Sequence, residues 1–140
     1  MKKEIEFDMR LTDFEFNRRT LFKGALEIPK GKKLKKIIFK HHLNRKINSN
    51  LLSSTKRKIK FDFSLEMHPD WGEIRLEGCC NLESPDQQKI SFCLTNKFPP
   101  VENLINKIIV NTCLKECRKI GLKEGIPFPP LNFLLKLKEK

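Results

Sequence analysis

Residues 98–137 read FPPVENLINKIIVNTCLKECRKIGLKEGIPFPPLNFLLKL, and the fold turns on how this stretch is read. Phe98-Pro99-Pro100 interrupts whatever precedes it, because proline lacks an N–H and biases its predecessor toward extended backbone. Proline is compatible with a first helical turn, so Pro100 can open a helix. Behind it Val101, Leu104, Ile105, Ile108, Ile109, Cys113, Cys117 and Ile120 recur at spacings of three and four, the helical period. Gly121 and Gly125 offer C-terminal stops and Pro127 forbids continuation. The spacing predicts one helix over 101–120, roughly 30 Å long at about 1.5 Å per residue. Val110 and Leu114 lie off the centre of the apolar stripe. The stripe is thus wider than one sheet requires, and a second packed surface is expected.

A helix with a dry face needs a layer to cover. That layer is written in the alternation of Ile59, Phe61, Phe63, Leu65 and Met67 with Lys60, Asp62, Ser64 and Glu66. His68-Pro69-Asp70-Trp71-Gly72 makes a turn, and Ile74, Leu76, Cys80 and Leu82 alternate again, with Gly78 filling the gap. After Ser84-Pro85-Asp86-Gln87, the run Ile90, Phe92, Leu94 reads as a further strand. Polar-out, apolar-in alternation joined by short turns predicts an antiparallel meander, wet on one face.

Upstream, Ile5, Phe7, Met9 and Leu11 alternate, and the phase slips before Phe14 and Phe16. This is a long first strand with a bulge near Thr12-Asp13. Residues 22–31 hold Gly24, Pro29 and Gly31 and read as a crossover. Residues 34–43 read as a strand, and the Asn/Ser-rich 44–56 as a turn or loop. The expectation is a single α+β domain over 1–140: an antiparallel sheet of four to five strands, covered on one face by the long C-terminal helix.

The net charge of +12 is confined to one segment. Residues 1–22 hold five basic and five acidic side chains, and residues 61–140 hold eleven of each. Residues 23–60 hold thirteen Lys/Arg against Glu27 alone. That segment is either a solvated lysine face or the footprint of an acidic partner, single-stranded nucleic acid included. Lysine outnumbers arginine 22 to 7, which weakens the case for base or phosphate reading.

Five cysteines, an odd number, point to reduced thiols. Cys79-Cys80 and Cys93 form no CxxC pair, and the adjacent His41 and His42 would point to opposite faces of a strand, so no metal site is expected. No run approaches a membrane span, MKKEIEFDMR lacks the apolar stretch of a signal peptide, and a cytoplasmic protein without membrane insertion is expected. No nucleophile elbow, phosphate-binding glycine loop or HExxH occurs, so neither catalysis nor a cofactor is expected. Phe22, Trp71, Phe98 and Phe128, near element ends, either line a groove or fill corners.

The C-terminal run carries a resemblance. A helix closing in Leu114-Lys115-Glu116-Cys117, then a glycine, then Phe128-Pro129-Pro130-Leu131-Asn132-Phe133, resembles the SecB family of protein-export chaperones. The order of elements before it is similar to that family along nearly the whole chain, and residues 114–133 match at motif level. The resemblance implies an ATP-independent holdase, a homotetramer built as a dimer of dimers. It would bind unfolded or precursor polypeptides, extended and apolar-plus-basic, and its place would be either protein export or a toxin–antitoxin system, since SecB-like chaperones serve both. The resemblance puts groove residues at Phe22 and Leu26 in the crossover, Val110 and Leu114 on the helix, and Leu131 and Phe133 in the tail. Two departures stand out. Family members are typically acidic toward their export motor, whereas this chain is basic, and Trp71 lies in a later turn and not in the crossover. An adaptor docking one acidic protein, or a nucleic-acid module using 23–60, are the competing readings.

Overall fold

The computed structural model describes residues 9–24, 38–53, 55–68, 71–126 and 128–130, with backbone alone for 48–53. Six elements follow in order: β1 (Arg10–Lys23), β2 (Ile38–Ser53), β3 (Lys56–His68), β4 (Gly72–Glu83), α1 (Gln87–Thr95) and α2 (Pro99–Lys123). The four strands form one antiparallel sheet in the order β1-β4-β3-β2. β2, β3 and β4 are a meander and β1 returns to lie beside β4, the Greek-key arrangement.

The alternation in β3 and β4 becomes burial. Ile59, Phe61, Phe63, Leu65 and Met67 are at most 2% exposed, and Ile74, Leu76 and Leu82 are fully buried. The phase slip in β1 is a real irregularity: the register shifts between Thr12 and Glu15, with Asp13 at φ 53°. A second shift falls between Phe16 and Arg18. There Gly78 lets β1 come close, since a Cβ on it would lie 2.3 Å from the Glu15 carbonyl oxygen and 2.9 Å from the Phe61 ring.

α2 lies across the inner face of the sheet. Val101, Ile105, Ile109, Cys113, Leu114 and Cys117 are all buried in one core with the strand residues. Each buried apolar side chain is worth about 1.5–3 kcal/mol, so this contact dominates the packing. Ion pairs fix the path of the helix: Glu102 pairs with Arg45 of β2, Glu116 with Arg19 of β1 and Glu124 with Lys23 of β1. α2 therefore crosses obliquely, from one sheet edge at its start to the other at its end. It runs past Gly121 to Lys123 and closes on Gly125 at φ 79°. The N–H of Ile126 donates to the Gly121 carbonyl (2.9 Å) and that of Gly125 to the Leu122 carbonyl (3.2 Å), the paired bonds of a Schellman end.

Two expectations are corrected. Residues 90–94 are not a strand but belong to helix α1. The Asp86 carboxylate accepts from the Lys89 N–H at 3.0 Å, which is an N-cap. Gln87, Ile90 and Cys93 then face inward at a spacing of three while Phe92 is 70% exposed, so the apparent alternation gives way to a helical period. Residues 44–53 are not a loop but continue β2, paired with β3 from Ile38↔His68 to Ser53↔Lys56. The Asn/Ser-rich composition is compatible with a strand because β2 lies at the sheet edge among the described residues.

Candidate polypeptide-binding surface

The face of the sheet turned away from α2 is built in rows by the strand register. One row holds Phe22, Glu73, Glu66 and Lys40; the next Thr20, Arg75, Ser64 and His42; the next Arg18, Glu77, Asp62 and Asn44. Beyond them Lys46 stands directly opposite Lys60. Two open depressions lie on this face. One of about 560 Å³ is lined by Asn44, Lys46, Lys60, Asp62 and Glu77 among others. The other, about 380 Å³, is lined by His42, Asp62, Ser64, Glu73 and Arg75 among others. Opposite charges balance within the upper rows. The Glu66 carboxylate accepts from His68 Nε2 at 3.0 Å, and that hydrogen bond holds its carboxyl below the ordinary range, with His42 and Lys40 adding to the effect. Arg75 donates to Glu73 at 3.0 Å, which holds the guanidinium above its ordinary value.

Both outer strands present one unpaired edge among the described residues: β1 pairs only with β4, and β2 only with β3. A row of free main-chain donors and acceptors can take an added strand. Exposed apolar side chains stand at both edges, Phe22 (50% exposed) on β1 and Ile38 (49%) on β2. Phe92, Leu104 and Leu122 are exposed on the two helices.

Of the groove residues expected from the resemblance, the described ones, Phe22, Val110 and Leu114, do not share one surface. Phe22 lies in β1 and not in a crossover, because β1 continues to Lys23; it faces outward, with the Arg75 guanidinium 5.3 Å from its ring centre. Val110 is half-buried against the core. Leu114 is 1% exposed, so it belongs to the helix–sheet core and not to a surface groove. Leu26, Leu131 and Phe133 lie outside the described residues. Trp71 and Phe128, each 8% exposed, fill corners.

For β2 the sequence reading places a strand over 34–43 but misses both its continuation to Ser53 and its alternation. Its outward positions are Lys40, His42, Asn44 and Lys46, all exposed, and its inward positions are Phe39, His41, Leu43, Arg45 and Ile47. This is strict alternation, hidden because His41 and Arg45 occupy inward positions. His41 is buried and stacks on Phe63 with ring centres 5.9 Å apart. Arg45 reaches α2, where it pairs with Glu102 and donates to the Asn106 side-chain carbonyl; burial lowers its pKa.

Three of the thiols are held protonated by burial. Burial pushes Cys80 up to about 12 and raises Cys113 and Cys117 well above the ordinary thiol range. All five cysteines are unbridged and buried. Among the described residues no three His, Cys, Asp or Glu side chains converge to hold a metal ion. No described helix is long and apolar enough to cross a membrane. Among the described residues the surface presents strand edges, apolar side chains and separated charges.

Among solved structures, the chain is similar to the Mycobacterium tuberculosis Rv1957 SecB-like chaperone in complex with a ChAD peptide from the Rv1956 HigA1 antitoxin. The TM-score is 0.54 over 86% of each chain, at 8% sequence identity. The chain has a SecB-like fold. No protein-family model and no curated protein sequence matches it. The likeness to the SecB-like chaperone lies in the order and packing of sheet and helix, at a sequence distance where side-chain roles do not transfer.

Proposed function

We propose that the protein is an ATP-independent chaperone that holds unfolded polypeptides and works as a homo-oligomer. The carrying observation is the pairing of a SecB-like fold with a sheet whose two outermost strands, among the described residues, keep a free edge flanked by exposed apolar side chains. A strand edge binds main chain whatever its sequence, and flanking apolar groups favour unfolded over folded clients. The solved neighbour holds a peptide, which supports the same use of the fold here. Among the sequence-predicted groove positions, Phe22 remains a contact at the β1 edge, and Leu26, Leu131 and Phe133 complete the proposed apolar set. Precursor proteins on their way to export are one client class. The basic charge makes an acidic partner protein the complementary one.

The test is aggregation of a chemically unfolded client followed by light scattering, without nucleotide, beside the molar mass of the protein at micromolar concentration. Suppression near equimolar oligomer, with a mass of four chains, is the expected result. A monomer that leaves aggregation unchanged would sink the proposal.

A further inference from the structure

Among the described residues the free edge of β2 differs from that of β1 in charge, since β1 carries Asp13 and Glu15 and β2 carries no acid. Its described outward side chains are Lys40, His42, Asn44 and Lys46 beyond Ile38, with no acid among them. None of Lys40, Lys46 and Lys60 has an ion-pair partner within 4.0 Å among the described residues, and Lys46 faces Lys60 across the β2–β3 ladder. Like charges set directly opposite in a ladder oppose its pairing. On the other side of the same strand Phe39, Leu43 and Ile47 are only partly buried against the core.

Resting on the chaperone reading above, we propose that the β2 edge takes an extended polypeptide segment in which acidic and apolar residues alternate. Strand addition sends successive side chains of the incoming segment to opposite faces. On one face they meet Lys40, His42 and Lys46, and on the other the flanks of Phe39, Leu43 and Ile47. A second copy of the chain is a poor occupant of this edge. Antiparallel self-pairing of β2 would set lysines and histidines against one another, with no carboxylate in either strand to offset them. The lysines thus discourage uncharged and self pairing at the edge while favouring acidic segments. This inverts the apolar-plus-basic client expected from the family resemblance.

The experiment uses the full chain and fluorescent peptides of about ten residues, enough to pair along 38–47. One peptide alternates Val and Glu, one alternates Val and Lys, one carries the Val/Glu composition in two blocks, and one is the alternating Val/Glu peptide N-methylated at alternate amides. The alternating Val/Glu peptide should bind about tenfold more tightly than the Val/Lys peptide, from a few cross-strand ion pairs. Blocked order and N-methylation should each abolish that advantage. The double variant Lys40→Glu/Lys46→Glu should reverse the preference, which shows that it is folded and that the charges act at the edge. Equal binding of the Glu and Lys peptides, an unaltered preference in the double variant, or equal binding of the blocked peptide would each overturn the proposal. So would tight binding of a uridine homopolymer with no peptide bound, which would assign the lysines to phosphate. The client-aggregation assay separates the two readings. Aggregation suppressed with charge-blind peptide binding defeats this inference alone. Charge-selective peptide binding without suppression upholds it and defeats the holdase.

Discussion

Gly121 shows how one missing methyl group seats the chain that follows α2. A Cβ there would lie 2.0 Å from Cε2 of Phe128, whose ring also packs 5.1 Å from that of Phe39 on β2. Gly121→Ala should cost about 1–3 kcal/mol in chemical denaturation, the usual price of overpacking. In a Phe128→Ala background the same change should cost almost nothing, because the two residues share one contact. Glu83 is the second residue with a measurable signature. It pairs with Lys56 at 3.2 Å and Arg10 at 2.9 Å, joining the ends of β1, β3 and β4. Lys56 foremost, with Arg10 adding, holds its carboxyl below the ordinary range. A depressed carboxyl contributes stability that is present above its unfolded pKa and is lost as pH falls through the folded value. Glu83→Gln should therefore lower Tm at neutral pH and flatten the acid limb of Tm against pH, with the two curves meeting at low pH.

At the scale of elements, α1 depends on its cap and α2 on a clasp. Removing the Asp86 carboxylate with Asp86→Ala should cost about 1 kcal/mol in denaturant unfolding, a loss that a solvent-facing position beyond the helix would not show. The clasp joins β2 to the first turns of α2 through Arg45, Glu102 and Asn106. Arg45 and Glu102 are 13% and 23% exposed at their side chains, so removing one charge strands the other. Arg45→Met should cost about 2–3 kcal/mol, and Arg45→Met/Glu102→Leu should recover most of it. Failure of the double variant to recover would mean that the cost lies in lost packing of the arginine stem. The helix α1 was hard to read for a physical reason: Ile90, Phe92 and Leu94 satisfy period two while Gln87, Ile90 and Cys93 satisfy helical spacing. The buried Gln87 amide, donating 2.7 Å to the Thr55 carbonyl, favours the second. No local pattern contains that contact, which joins residues 32 positions apart.

The whole molecule adds a question of assembly. Leu104 and Leu122 are 40% and 44% exposed, and a separation of about five helical turns places them on one face of α2. The flank that looked surplus in the sequence is largely spent inside the protomer, since Leu114 is buried and Val110 and Ile120 pack against the core. For the homo-oligomer proposed above, these two leucines are the candidate contact among the described residues of α2. Leu104→Gln/Leu122→Gln should lower the molar mass in light scattering while leaving far-ultraviolet circular dichroism unchanged. An unaltered mass would place the contact elsewhere.

The alternation of residues 59–82, the helical stripe after Pro100 and the confinement of excess charge to 23–60 were all legible in the chain, because periodicity and charge are properties of neighbours in sequence. The bulge near Asp13 was legible too, as a phase slip. Tertiary structure decided the rest. It made 87–95 a helix, carried β2 through 44–53, turned Phe22 outward and withdrew Leu114 into the core. Each of these depends on which distant surface arrives to cover a side chain, and burial is settled between elements, not within one.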